Sequence, residues 1–145
     1  MDYEALARRM VSCYMSIARD EPQRMMNRLA KGEGFVLTHL AFKGPSQPSE
    51  IAAHMGVSTA HIAKMLGDLE EKGLIERTMD RRDRRKIIVT LTDSGESFFQ
   101  AALDEGIAHT ALMLKDLGEA DAQSLVRILE RIVQLHNLRN EASGD

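Results

Sequence analysis

The sequence predicts a mainly α-helical fold with a small β hairpin, and three observations carry this prediction. Two short helical patterns meet at Gly56. A pair of strand-like segments follows, separated by the strongly basic sequence DRRDRRK (Asp80 to Lys86). Long amphipathic patterns lie at both ends of the chain. Together they predict a winged helix-turn-helix with additional N- and C-terminal dimerisation helices.

The composition is typical of a soluble, single-domain globular protein. The chain has 145 residues, 43% of them hydrophobic and 28% charged, and a formal net charge of −3. Positive charge is concentrated in Asp80 to Lys86, where five basic and two acidic residues give a net +3. The sequence shows neither a membrane-spanning apolar run nor a signal-peptide pattern. With Cys13 as the single cysteine, we expect a protein of the reducing cytoplasm.

The first 43 residues predict two helical regions. From residue 3 to about residue 20, apolar residues recur every three or four positions, as in an amphipathic helix: Leu6, Met10, Tyr14 and Ile17. A second helical pattern runs from about residue 24 to residue 43. Gly32 and Gly34 weaken its middle, so we expect it to form two pieces.

The two central helices have recognisable start and stop signals. Pro48 suits the first position of a helix over about residues 48–55, and Gly56 is expected to end it in the left-handed conformation. Ser58 is expected to cap the next helix, which Gly73 ends. One apolar stripe marks the buried side of this second helix: Ile62, Met65, Leu66 and Leu69.

The rest of the chain predicts a hairpin and two long helices. Residues 74–79 and 86–92 read as strands, and the loop between them is too long and too charged for a tight turn. Thr92 or Asp93 is expected to cap a helix that reaches about residue 116. A last helix spans about residues 119–140, before a frayed tail. Apolar members of the first of these helices include Phe98, Ala102, Ile107 and Leu114.

This order of elements favours DNA binding. The second helix of such a unit lies in the major groove, and its first residues reach base edges. Here they are Ser58, Thr59, Ala60, His61 and Lys64. The basic loop would flank that groove, and Asp83 is expected to orient a neighbouring guanidinium through a bidentate pair. Taken alone, a charge run is more often a solvated loop; the joint order of helices, strands and loop reverses that preference.

The chain resembles the MarR family of bacterial transcription regulators over nearly its whole length. The strongest similarity is LEEKGLIER…DRRDRRKIIVTLTDSG (Leu69 to Gly95), followed by SEIAAHMGVSTAHIAKML (Ser49 to Leu66). The resemblance implies that Asp83 and Arg85 are the family's wing pair, with Arg85 in the minor groove. It also implies that Thr59, His61 and Lys64 face DNA, although the family often has a smaller polar residue at the position of His61. The wing residues predicted to bind DNA are Arg81, Arg82, Asp83, Arg84, Arg85 and Lys86.

The terminal helices are expected to form a homodimer. Their apolar faces are larger than the winged unit can cover, so we expect them to bury each other across a two-fold axis. This assigns residues 44–92 to DNA binding, and 1–43 and 93–145 mainly to dimerisation. The resemblance implies the same assembly. Two recognition helices about 10 bp apart require a pseudo-palindromic double-stranded operator.

The resemblance also implies a small phenolic or lipophilic effector, bound between the dimerisation helices and the winged unit. The candidate pocket residues are Met10, Cys13, Tyr14, Met25, Met26, Phe35 and His39. For any single one of them, an ordinary place in the core is the more common role. Cys13 lies near the reactive cysteine of peroxide-sensing relatives, but a buried, inert thiol is favoured. The five histidines are scattered, so zinc sensing has little support.

The sequence thus predicts a dimeric DNA-binding regulator, most simply a repressor that a small ligand releases. The alternatives are a winged-helix module that binds a partner protein, and a redox- or metal-responsive regulator of the same fold. The five basic wing residues argue against the protein-binding module. No catalytic motif stands out, so we expect neither enzyme activity nor a cofactor.

Overall fold

The computed structural model describes residues 1–17 and 28–142. Its elements in chain order are α1 (Tyr3–Ile17), α2 (Gly32–Lys43), α3 (Pro48–Met55), α4 (Thr59–Glu71), β1 (Ile75–Met79), β2 (Ile87–Leu91), α5 (Asp93–Leu117) and α6 (Glu119–Ala142). The predicted fold class is confirmed. The chain forms two compact units, Met1–Gly106 and Ile107–Asp145. No helix in the described part of the chain is long and apolar enough to cross a membrane.

The predicted break in the second helical region is also confirmed. Residues 28–30 are helical, Lys31 has an extended backbone, and α2 begins at Gly32. A Cβ at Gly34 would lie 1.7 Å from the Arg28 carbonyl oxygen, so this position requires glycine. The predicted ends of the helical regions between residues 18 and 27 lie outside the described residues.

The helix-turn-helix forms through the expected local signals. Pro48 occupies the first turn of α3, and the Gln47 backbone N–H donates to Glu50 Oε2 at 2.7 Å. Gly56 ends α3 with φ +67°, in the left-handed region. Ser58 Oγ then accepts from the His61 backbone N–H at 3.2 Å and so caps α4. All four predicted stripe residues of α4 are buried: Ile62, Met65, Leu66 and Leu69.

The hairpin is antiparallel, with Ile75 opposite Leu91 and Met79 opposite Ile87. The connector between α2 and α3 joins it through Ser46. The Ser46 N–H donates to the Val89 carbonyl at 3.1 Å, and the Val89 N–H donates to the Ser46 carbonyl at 2.9 Å. Val89 is fully buried. The hairpin is therefore fixed to the chain segment that enters the helix-turn-helix.

The start of α5 is fixed to the end of α4. Thr92, rather than Asp93, is the capping residue: its Oγ1 accepts from the Gly95 N–H at 3.0 Å and donates to the Gly73 carbonyl at 2.6 Å. A Cβ at Gly95 would lie 1.9 Å from the Leu74 carbonyl oxygen. The Thr-x-x-Gly spacing thus combines a helix cap with a close backbone approach that excludes any side chain.

The core lies in the first unit and draws on α2, α3, α4, the hairpin and the start of α5. Its buried apolar residues are Leu29, Val36, Leu37, Leu40, Ile51, Ala52, Ile62, Met65, Leu66, Leu69, Ile75, Val89 and Phe99. The apolar pattern of α5 does not decide which of its members are buried. Phe98 and Ile107 are 54% and 56% exposed, and Phe99 is buried instead of Phe98, edge-on to Phe42 at 6.0 Å between ring centroids. The rotation of α5 set by Thr92 and Gly95 accounts for the exchange.

Apolar residues on the remaining helices stay exposed. Neither α1 nor α6 over residues 119–141, where its side chains are described, has a buried residue. On α6 the exposed apolar residues are Val126, Ile128, Leu129, Ile132, Val133, Leu135 and Leu138. On α1 they include Tyr3, Leu6, Met10, Val11, Tyr14, Met15 and Ile17.

Candidate nucleic-acid interface

The loop between the strands (residues 80–86, the wing loop) has an ordered backbone. The Asp80 N–H donates to the Lys86 carbonyl at 2.8 Å and extends the hairpin ladder by one bond. The Lys86 N–H donates to the Asp83 carbonyl at 2.9 Å, which closes a turn over residues 83–86. This region is therefore a structured tip and not a loose charged loop.

Both wing aspartates hold the loop through backbone N–H groups. Asp80 Oδ1 accepts from the Arg82 N–H at 2.6 Å and from the Asp83 N–H at 3.3 Å. These bonds, with a smaller contribution from the Lys86 charge, lower the pKa of the Asp80 carboxyl. Asp83 Oδ1 accepts from the Arg85 N–H at 3.1 Å. Each aspartate thus forms a local turn of the kind that its short side chain favours.

The predicted bidentate pair at Asp83 is not formed. Within the described residues, no arginine side chain makes an ion pair with the Asp83 carboxylate, which bonds to the backbone N–H of Arg85 instead. The reason is local: the turn brings this N–H to the carboxylate, while long arginine side chains extend into solvent. All five wing cations are exposed: Arg81, Arg82, Arg84, Arg85 and Lys86.

The first turn of α4 presents the predicted base-reading residues. Those residues are all exposed: Ser58, Thr59, Ala60, His61 and Lys64. The opposite side of the helix carries the buried apolar stripe, so packing fixes which residues face outward. These five residues therefore remain accessible at the N-terminal end of α4, outside its buried stripe.

An ion pair connects α4 to the base of the hairpin. Arg77 Nε of β1 donates to Glu70 Oε2 at 2.9 Å, and Arg77 Nη2 donates to the same oxygen. The arginine lowers the pKa of the Glu70 carboxyl, chiefly through these hydrogen bonds. This contact was not predicted, because a pair seven residues apart across a turn leaves no periodic signal in the sequence. It helps to hold the wing relative to α4.

The first unit also contains an open cleft of about 1170 Å³. Its apolar lining includes Leu29, Leu37, Leu69, Leu74, Phe98 and Ala102. Charged residues also line it: Arg28, Lys31, Glu33, Lys72 and Glu105. Lys72 at the end of α4 donates to Glu33 Oε2 in the first turn of α2, which raises the pKa of the lysine. The cleft is therefore lined by both residues of the Lys72–Glu33 contact, which joins α4 to α2.

The cleft lining contains none of the predicted pocket residues that the structure describes. Met10, Cys13 and Tyr14 are exposed on α1, and Cys13 is not the buried thiol that was expected. Met25 and Met26 lie outside the described residues. The helix α1 is predicted to be covered by a second copy of the chain, and within a single chain it has no buried residue.

Phe35 and His39 meet His54 instead. The His39 and His54 rings are 5.2 Å apart between centroids, and Phe35 lies edge-on to His54 at 5.3 Å. His39 and His54 were expected to be scattered, but tertiary packing brings them together. No group of three or more possible metal ligands occurs among the residues that the structure describes.

Comparisons with known proteins agree with this geometry. Residues 29–87 match the model of the MarR family. The HTH-type transcriptional repressor MdtR of Bacillus subtilis (strain 168) is 36% identical over 100 residues, 69% of this chain but only 64% of the repressor. The HTH-type transcriptional regulator YpoP of the same strain is 30% identical over 99 residues, 68% of each chain. The X-ray structure of the Bacillus subtilis YusO protein has a TM-score of 0.72 and 29% identity, covering 91% of this chain and 94% of YusO.

Proposed function

We propose a function from one premise: the chain belongs to the MarR family. On this premise it is a sequence-specific regulator of transcription that binds double-stranded DNA. It acts as a homodimeric repressor that a small ligand releases from its operator. The observation that carries the proposal is the wing loop, in which both acidic side chains bond to backbone while five cations remain exposed.

The wing would supply affinity. Exposed guanidinium and ammonium groups suit phosphate oxygens and the strong negative potential of a narrow minor groove. None of the five cations lies within ion-pair distance of a carboxylate of the described chain, so DNA binding would not require breaking a close internal ion pair. The turn that Asp83 forms with the Arg85 N–H fixes the backbone at Arg85, the residue that we place in the minor groove.

The first two turns of α4 would supply discrimination. Thr59 and Lys64 offer a hydroxyl and an ammonium group to base edges or phosphates, and Ala60 can contact a thymine methyl group. His61 adds a ring nitrogen that donates or accepts according to its protonation. The Ser58 cap defines where the helix begins, and therefore which of these side chains reach the groove.

Exposed apolar residues on α1 and α6 support the dimer. Each of these two helices has seven large apolar side chains that are exposed, and soluble monomers rarely leave large apolar patches in water. On α6 the exposed residues recur at three- and four-residue spacing, as in Leu129, Ile132 and Val133. A second copy of this chain buries them across a two-fold axis, which also places two winged units on a pseudo-palindromic operator.

The cleft is the proposed effector site. Its apolar lining suits a small lipophilic or phenolic compound, and its lysines suit an ionised oxygen on that compound. A ligand that contacts Lys72 would compete with Glu33 and so act on the end of α4. Mapping ligand-induced NMR shifts onto the chain tests this site; shifts that avoid Phe98, Leu69 and Lys72 would reject it.

The decisive experiment is operator binding by Arg85→Ala. Loss of the minor-groove contact should weaken binding more than about tenfold, and reduce the salt dependence of binding by roughly one phosphate contact, while dimerisation stays unchanged. Titrations at several salt concentrations, with the chain's own upstream DNA and a scrambled sequence, measure both quantities. Specific DNA should bind at least ~10³-fold tighter than the scramble.

Lys43→Ala is the matched control, because it removes an exposed cation from the same unit outside the wing and α4. It should lose much less affinity than Arg85→Ala. Wild-type affinity in Arg85→Ala would reject the role of that arginine. Failure of the wild-type chain to prefer any natural DNA over the scramble would reject the proposed function itself and favour a partner protein.

A further inference from the structure

Two histidines in the first unit form a contact outside the proposed DNA-binding surface. His39 Nδ1 lies 2.9 Å from His54 Nδ1, and His39 Nε2 lies 3.0 Å from Ser46 Oγ. His39 is buried, with 8% of its surface exposed. The contact joins α2, the connector to α3, and α3 itself. We call His39 and His54 the histidine pair.

The hydrogen bonds assign a proton to each position. Ser46 Oγ donates its one proton to the Gly44 carbonyl at 3.0 Å, so it must accept from His39 Nε2–H. A neutral His39 then has a bare Nδ1, which can accept but cannot donate. The proton between the two rings therefore belongs to His54 Nδ1. This assignment, with His39 protonated at Nε2 and His54 protonated at Nδ1, satisfies all three contacts.

The contact tolerates one added proton but not two. A proton on His54 Nε2 leaves its Nδ1–H donor in place. A proton on His39 Nδ1 as well would bring two N–H groups face to face at the present 2.9 Å, and would set two cations against each other. The other charged groups that act on His39 are Lys43 on α2, which opposes its protonation, and Glu50 on α3, which favours it. Phe35 and Ser46, which also contact the pair, are uncharged.

We propose that the histidine pair is a proton-sensitive contact that holds α3 and the Ser46 connector against α2, and that acidification breaks it and weakens DNA binding. Loss of the contact would also affect the hairpin, because two backbone hydrogen bonds between Ser46 and Val89 hold the hairpin to the connector. Double protonation would therefore loosen α3 and the wing together. Only the effect on DNA binding rests on the proposed function.

The direction of the pH effect follows from burial. Burial, and then the neighbouring His54, lower the pKa of His39 below its ordinary value of 6.5. The unfolded chain then binds more protons than the folded chain at acidic pH, so stability decreases as the pH falls below about 6.5. Above that pH the full stability is present. For one coupled proton, the folded-to-unfolded ratio changes at most about tenfold per pH unit.

NMR of the wild-type imidazoles tests the contact without any DNA. Long-range ¹H–¹⁵N spectra at pH 7.5 should show His39 protonated at Nε2 and His54 protonated at Nδ1, the assignment that the three contacts require. His61, exposed on α4, provides the reference for a free ring in the same unit. A free histidine side chain prefers the Nε2–H tautomer, so Nδ1 protonation of His54 is the diagnostic result, and a His54 protonated mainly at Nε2 would overturn the proposal.

His54→Asn tests the proton coupling. Its amide can donate to a neutral His39 Nδ1 and, after turning over, can accept from a protonated one. Urea unfolding between pH 7.5 and 5.5 should therefore show a smaller acid loss in this variant than in the wild type. His61→Gln, which removes a histidine outside the pair, should keep the wild-type loss. Equal acid losses in His54→Asn and the wild type would also overturn the proposal.

The pH dependence of DNA binding distinguishes the effect of the histidine pair from a direct effect of His61 at the DNA interface. Protonation of His61 at the proposed interface would strengthen DNA binding at low pH, which is the opposite sign. In a His61→Gln background, operator affinity should therefore fall on acidification, and should fall less when His54→Asn is added. If unfolding shows the proton coupling while the wild-type chain binds no DNA at any pH, the histidine pair stands and the proposed function fails.

Discussion

The helix-turn-helix with its hairpin and the last helix of the chain differ in how they use apolar residues. In the first region, the side chains of Ile51, Leu66, Leu69 and Val89 are almost completely buried by the chain itself. On α6, by contrast, apolar side chains such as Leu129 and Ile132 are about half exposed, at 53% and 54%. One region completes its own core, whereas the other presents apolar surface that a single chain leaves in water.

This difference separates two origins of stability. Burial within the chain stabilises the fold at any protein concentration. Burial against a second copy depends on concentration, because association must first overcome the loss of translational and rotational freedom. The winged region should therefore show intrinsic stability, and α6 should show stability that increases with protein concentration.

The largest expected effect compares two leucine truncations. Leu66→Ala removes a side chain that is 1% exposed and should cost about 2–5 kcal/mol of unfolding free energy at every protein concentration. Leu129→Ala should cost less than ~0.5 kcal/mol at concentrations where the chain is monomeric, and more where it dimerises. Urea titrations at two protein concentrations measure the loss of unfolding free energy in each variant. A concentration-independent loss of equal size in the two variants would break the comparison.

The next effect concerns the proposed dimer. Ile132→Glu should raise the dimer dissociation constant by roughly 100-fold or more, since an unpaired carboxylate would enter an apolar interface. Gln134→Glu adds the same charge to the same helix at an exposed polar position and should change it much less. Sedimentation equilibrium measures both constants. Equal dimerisation of Ile132→Glu and Gln134→Glu would remove α6 from the interface.

The smallest effect concerns the exposed tip of the winged region. The lowered pKa of Asp80 means that its carboxylate stabilises the folded loop above the ordinary value of 3.8, and that this contribution is lost as the pH falls through the lower value. Asp80→Asn should therefore increase amide exchange at Arg82 and Asp83 at neutral pH, while the Leu66 amide keeps its protection. Unchanged exchange at those two amides would contradict the proposed role of Asp80.

Local signals explain why much of the fold could be predicted from sequence. Gly56 and Ser58 act through atoms within one helical turn, so their roles as a left-handed terminus and a cap are visible in the residues themselves. The buried stripe of α4 could also be predicted, because apolar residues that recur with a 3.6-residue period lie on one face of a helix. Which of Phe98 and Phe99 is buried could not be predicted, because two adjacent apolar residues leave the rotation of α5 undetermined.

The sites depend on contacts that sequence spacing does not encode. His39 and His54 are 15 residues apart and meet only because α3 packs near α2. The wing was recognised by its charge, but the partner of Asp83 was predicted wrongly, since a carboxylate among arginines has a nearer donor in the backbone. The cleft brings together Leu37, Leu69 and Phe98 from three helices, and each carries only the signal of an ordinary core residue.

The wing loop has a consequence for kinetics. Its cations extend outward on a hairpin whose two aspartates neutralise some of their charge but do not hold their side chains. Such charges act at long range on an approaching polyanion and raise the rate of encounter, whereas short-range contacts such as those proposed for Thr59 and His61 would act only after docking. The wing would therefore govern how quickly the regulator finds DNA, and α4 how long it stays.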